Sequence, residues 1–261
     1  MSTTMTAPTT IDLGSTRRVS MTRLIEVELR KLIDTRAGRW LLIIIGLVTA
    51  AAVVIFLFAA HPADLTYGNF VDVTATPQGI LLPVLGILAV TTEFTQRTEL
   101  VTFTLEPNRM RVVVAKFVAA IVLGVAAAVL ALAVAALGNV LGMALHSGAG
   151  GWSFGAGGVR DVFTLQLMGI VQGVAFGMLF MNTAVAIVAF FVVPIVWSVL
   201  FNVVSALSGA APWIDLGTAQ TPLQSHDMTG SSWVHLLVAG SIWIVVPLVL
   251  GVLRLLRHEV K

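Results

Sequence analysis

The groups that could do chemistry in this chain are few and scattered. His61, His146, His226, His235 and His258 share no spacing that would turn two imidazoles toward one metal ion. No His-Glu-x-x-His occurs, nor any Gly-x-x-x-x-Gly-Lys-Ser/Thr, so the residues for zinc hydrolysis and for P-loop cradling of ATP phosphates are both missing. Cysteine is absent, which removes disulfides, thiolate nucleophiles and thiolate metal sites. The stretch Gly155-Ala-Gly157-Gly158 follows no strand and reads as a loop, not a dinucleotide fingerprint. With no paired acid and base and no ligand cluster, the expectation is a chain that is not an enzyme and holds no metal or cofactor.

Three other groups of residues carry a pattern. Gly169-x-x-x-Gly173-x-x-x-Gly177 sets three glycines on one helix face, where a second helix can approach closely and gain van der Waals contact. The pattern leaves open whether that helix is in the same chain or in a second subunit. Gln172 and Asn202 are polar side chains inside apolar runs, able to bond across helices or to touch a substrate on its way through. No acid or base is expected at mid-membrane, which weighs against an ion-coupled carrier. The third group is the segment from Glu93 to Arg111, which mixes Glu93, Arg97, Thr98, Glu99, Glu106 and Arg109 with Leu100, Val101, Phe103 and Leu105 and stops at Pro107 before a basic pair. Nothing in the chain obviously covers those apolar side chains, so a protein partner is expected there.

The elements that position these residues follow from composition. Of 261 residues 57% are hydrophobic and only 11% charged, with a mean hydropathy of +0.97. A water-facing domain carries about 25% charged residues, so the outer surface must be apolar and lipid is its solvent. The net charge of +2 offers nucleic acid no electrostatic attraction. Residues 1–20 read as a disordered tail. Residues 21–39, with Leu24, Ile25, Leu29 and Leu32 interleaved with Arg23, Glu26, Glu28 and Lys31, read as an amphipathic basic helix suited to the headgroup boundary. A six-helix transmembrane domain is expected over 40–261, with spans at about 40–60, 77–94, 112–137, 162–181, 184–207 and 233–253. The fourth and fifth runs are too long together for one helix, so the chain must turn back at Asn182-Thr183.

Charge distribution gives the orientation. With six spans, fourteen of the fifteen lysines and arginines fall on one side, and only Arg160 on the other. The positive-inside rule then makes both termini cytoplasmic. The outward loops are 61–76, 138–161 and 208–232, the last apolar enough at Pro212, Trp213, Ile214 and Leu216 to dip back toward the membrane.

At Glu93-Phe94, Thr98, Pro107, Arg109, Arg111 and Ala115-Lys116 the chain resembles permeases of the ATP-binding-cassette superfamily, of the second exporter type. Members share an amphipathic N-terminal helix, six membrane helices with both termini inside, and a short coupling helix between helices 2 and 3. They often carry Arg and Gly after the Glu, where this chain has Thr95-Gln96-Arg97, and this chain adds Glu99 and Glu106. The resemblance in layout covers about residues 21–261, and in motif only 93–116. It implies a dimer with a second permease subunit, identical or homologous. It also implies two copies of a separate ATP-binding subunit that carry ATP and Mg and dock on residues 95–110. The expected location is the cell membrane of a bacterium, and the expected task is export. The competing expectations are a non-transporting assembly or sensor subunit and, third, an ion-coupled secondary transporter.

Overall fold

The structure is a computed structural model that describes residues 19–96, 104 and 106–257. The segment's Arg97, Thr98, Glu99, Leu100, Phe103 and Leu105, and the tail before Val19, lie outside the described residues. Helix α1 (Met21–Asp34) begins under Ser20, whose hydroxyl accepts from the Arg23 N–H. It stops at Thr35, which is extended and caps α2 (Arg36–Ala59) by accepting from the Gly38 N–H at 3.2 Å. The amphipathic helix expected over 21–39 is therefore shorter, and Arg36 to Arg39 form the first turn of the first span. The Thr35 hydroxyl satisfies one of the free N–H groups at the start of α2. Gly38 is required at the bend, because a Cβ there would lie 1.9 Å from the Leu32 carbonyl oxygen.

The chain continues through α3 (Tyr67–Thr95), α4 (Arg109–Leu145), α5 (Ala156–Phe180) and α6 (Thr183–Val203). Two short helices follow, α7 (Ala211–Ile214) and α8 (Leu216–Gln224). Then come α9 (Gly230–Gly240) and α10 (Val246–Arg257), joined through a π turn at Ser241–Val245. Six helices are long and apolar enough to cross a membrane: α2, α3, α4, α5, α6 and the rod Gly230–Arg257. Among the described residues there is no strand. The π turn has a local cause. Pro247 has no N–H to donate one turn back, and the Val246 N–H instead bonds to Ser241 O, five residues earlier.

Most helices overrun the apolar runs that announce them. The second span begins at Tyr67 rather than 77, so Pro77 and Pro83 sit inside it. Thr66 caps its start by accepting from the Asn69 N–H, and Phe70 and Val71, both fully buried, pack with Val53, Leu57 and Ala135. Burial of that first turn outweighs the hydrogen bond that each proline removes. The third span runs on to Leu145, the fourth starts at Ala156, the fifth ends at Val203, and the last covers Gly230–Arg257. The connections expected over 61–76 and 138–161 are shorter, and the one expected over 208–232 contains α7 and α8. Leu216, Ala219 and Leu223 of α8 pack against Phe176, Leu236 and Trp243, while the Trp243 indole N–H donates to Ile214 O at 2.7 Å. The reversal after α5 does fall at the expected pair. Met181 takes a left-handed φ of 51°, and Asn182 caps α6 by accepting from the Val185 N–H at 3.1 Å.

The centre of the bundle is the crossing of α3 and α5. A Cβ on Gly173 would lie 2.0 Å from Pro83 O, one on Gly86 2.3 Å from Ile170 O, and one on Gly177 3.0 Å from Ile87 O. Backbone meets backbone there, so the glycine stripe packs against a helix of its own chain. The inner face of α4 is built the same way from Ala119, Ala120, Ala128, Ala131 and Ala135, all fully buried. Small side chains allow the close contact that substitutes, in lipid, for the missing hydrophobic drive between helices.

Candidate functional site

Two polar clusters lie at opposite ends of this bundle. The first gathers both ends of the described chain: Arg109 donates to Leu255 O at 2.7 Å, Arg111 to Val19 O, and Arg254 to Leu179 O at 2.7 Å. Among the described lysines and arginines only Arg160 lies at the opposite end.

At the basic end α1 lies across the bundle and is held by four charges. Lys116 of α4 reaches Glu28 of α1 at 2.6 Å and Glu93 of α3 at 3.1 Å, and donates also to Ala89 O at 3.0 Å. Lys31 of α1 reaches Glu28 at 2.8 Å and Glu93 at 2.6 Å. Glu28, Glu93 and Lys116 are each at most 6% exposed. Two cations and two anions alternate in a ring, so each buried charge has two opposite neighbours. Desolvation is costly enough that charges at this depth persist only when matched in this way. Burial would push the Lys31 ammonium down, but the Glu28 and Glu93 carboxylates outweigh it and hold it above its ordinary value.

Sequence reasoning places Glu93, Glu106 and Arg109 in a docking segment, and the structure turns all three inward. Glu93 belongs to the ring, Glu106 pairs with Arg111 at 2.6 Å, and Arg109 bonds to the end of α10. A cavity of about 530 Å³ opens under α1 between α3 and α4, and Gln96 and Glu106, which bracket the 97–105 stretch, line it. Beside it Thr183, the first residue of α6, donates to the Thr91 hydroxyl at 2.8 Å and shares a hydrogen bond with Thr95 at 3.1 Å.

The second cluster is at the opposite end. His226, in a left-handed conformation with φ 55°, places Nε2 3.0 Å from Asp72 Oδ1 and Nδ1 3.6 Å from Asp161 Oδ2. Arg160 donates twice to Asp161 Oδ1, at 2.7 and 2.8 Å, while its guanidinium stacks 4.8 Å above the Trp233 ring. Asp161 is fully buried, yet its Oδ2 and the His226 Nδ1 find no hydrogen-bond partner. From this cluster a cavity of about 470 Å³ runs inward between α3, α5, α6 and α8. It spans Asp72 to Pro83 along α3, a depth of about 16 Å at 1.5 Å per residue. Gln172 lines it. Asn202 falls in α6, and its side chain lies outside what the structure describes.

Sequence reasoning missed this second cluster and also the part of Lys116 in the first. Asp72, Asp161 and His226 belong to three stretches far apart in the chain, and only the neighbouring Arg160-Asp161 pair marks the place. No protein-family model matches the chain, and no curated protein matches it.

Proposed function

We propose that this chain is the permease subunit of an ATP-binding-cassette exporter in a bacterial cell membrane. It works as a dimer of permeases driven by a separate ATP-binding subunit. Both chain ends lie in the cytoplasm, because the basic end collects nearly all the positive charge and such ends stay inside.

One observation carries the reading. The ring of Glu28, Lys31, Glu93 and Lys116 ties α1 to the end of α3 and the start of α4, the two spans that flank residues 97–105. A force applied to that stretch is therefore delivered to α1 and two spans together, and the Thr91–Thr183–Thr95 contacts extend it to α6. An ATPase that docks on the stretch and closes on ATP would move a joined unit rather than a slack loop. The apolar side chains at Leu100, Phe103 and Leu105 supply the docking surface.

The test is co-purification with an ATP-binding subunit and substrate-stimulated ATP hydrolysis by the reconstituted pair. Phe103→Asp with Leu105→Asp is expected to abolish coupled hydrolysis while the chain still folds and inserts. Transport that runs normally without any ATPase would overturn the reading. Partner binding without substrate-stimulated hydrolysis would favour a non-transporting assembly or sensor subunit instead.

A further inference from the structure

The cavity opposite the basic end has features that a mere packing gap lacks. Gln166, only 1% exposed, borders it and donates to Gln78 Oε1 and Ala75 O, but its own Oε1 has no partner. The carboxamides of Gln172, Gln220 and Gln224 also line it and form no hydrogen bond among the described residues. Gln220 is half-buried and Gln224 exposed, but Gln166 and Gln172 are buried. A buried amide oxygen without a partner, as at Gln166, is costly in a folded protein and marks a place where a bound molecule supplies the missing bond. The cavity lining also includes the apolar Leu165, Pro83 and Phe190.

The charges at the mouth choose the ligand's sign. Asp161 is matched by Arg160, which leaves the half-exposed Asp72 with only the His226 imidazole. Two carboxylates, Asp72 and Asp161, face the mouth against one guanidinium, with the His226 ring set between them. The local field thus favours an incoming cation.

We propose that this cavity binds an amphipathic amine, with its ammonium group at Asp72, its hydrogen-bonding groups on Gln166 and Gln172, and its apolar body against Leu165 and Phe190. The proposal rests on the permease reading only in naming that amine as the class of compound transported.

Fluorescence titration of the purified full chain in lipid nanodiscs tests it, with monodansylcadaverine as probe and its N-acetylated form as the uncharged control. The amine is expected to bind saturably, and acetylation to weaken binding at least about ten-fold, a loss comparable to that of one charged contact. Asp72→Asn is expected to weaken the amine similarly and to leave the acetylated probe unchanged, and Gln172→Leu to weaken both. The acetylated control needs no variant, so a misfolded Asp72→Asn would not rescue a failed proposal. Equal affinity for the two probes, or no saturable binding of the amine, overturns it. The assay holds no ATPase, so such a result leaves the permease reading standing, whereas transport without an ATPase would remove that reading and leave the titration intact.

Discussion

The two ends of the bundle handle buried charge in opposite ways. At the basic end Lys116 and Glu93 are as buried as core side chains, yet each meets two opposite charges within about 3 Å. At the other end Asp161 is more buried still, and one of its oxygens faces an imidazole nitrogen at 3.6 Å without a bond. A closed ring holds its parts in one arrangement, because any separation strands a charge away from water. An open cluster has capacity left over. The first is the character of a joint, the second that of a site that receives something.

The sharpest way to break this comparison is to remove one charge from each end. Lys116→Met leaves Glu28 and Glu93 buried with only the partly exposed Lys31 between them. A loss of about 3 kcal/mol is expected, read as unfolding in detergent. Asp161→Asn keeps the size of the side chain, and its partner Arg160 is half exposed and can return to water. The expected cost there is about 1 kcal/mol. Equal costs at the two ends would mean that both clusters are structural joints.

Between the ends runs the contact of α3 with α5, and a methyl group added along it sharpens the distinction. Gly173→Ala drives a Cβ into the Pro83 carbonyl, backbone that cannot step aside, and about 2 kcal/mol of destabilisation is expected from the forced shift. Gly169→Ala, nearer the open cluster, meets the Pro83 ring at 3.3 Å and the Gly79 carbonyl only at an ordinary 3.9 Å, and is expected to cost well under half of that in the same unfolding assay. A reversed order would place the tight part of the seam beside the cavity instead.

The readable parts of this molecule are those that local chemistry dictates. Apolar runs and charge asymmetry announce six spans, and Asn182-Thr183 marks the reversal because only a polar pair can end one helix and cap the next there. The glycine stripe announces a close approach. Helix ends are less legible, since Tyr67 to Thr76 and Gly138 to Leu145 are helical for reasons of burial and capping that composition does not display. Least legible are the clusters. Lys116 reads as one more positive charge beside the membrane, and only α1 folding back over α4 reveals that it is buried against Glu28. His226 is one of five scattered histidines until the backbone after α8 turns left-handed and delivers it to Asp72.

The smallest expected effect concerns the one ring member that water reaches. Lys31 holds its proton more tightly in the folded chain than free lysine does, so its contribution is complete below about pH 10.4 and is lost as the pH climbs through its raised folded value. Deprotonation leaves Glu28 and Glu93 sharing Lys116 alone, and α1 should begin to lift. Because the chain lacks cysteine, a single Val27→Cys on α1 reports that movement by its alkylation rate. Thiol ionisation is nearly complete by about pH 10, so any further rise in rate belongs to the helix and not to the probe. The rate is expected to level off near pH 10 and then climb again, while the same probe in a Lys31→Met background shows no second climb. Identical curves in the two backgrounds would show that Lys116 alone fastens α1, and the joint would reduce from a ring of four charges to a buried triad.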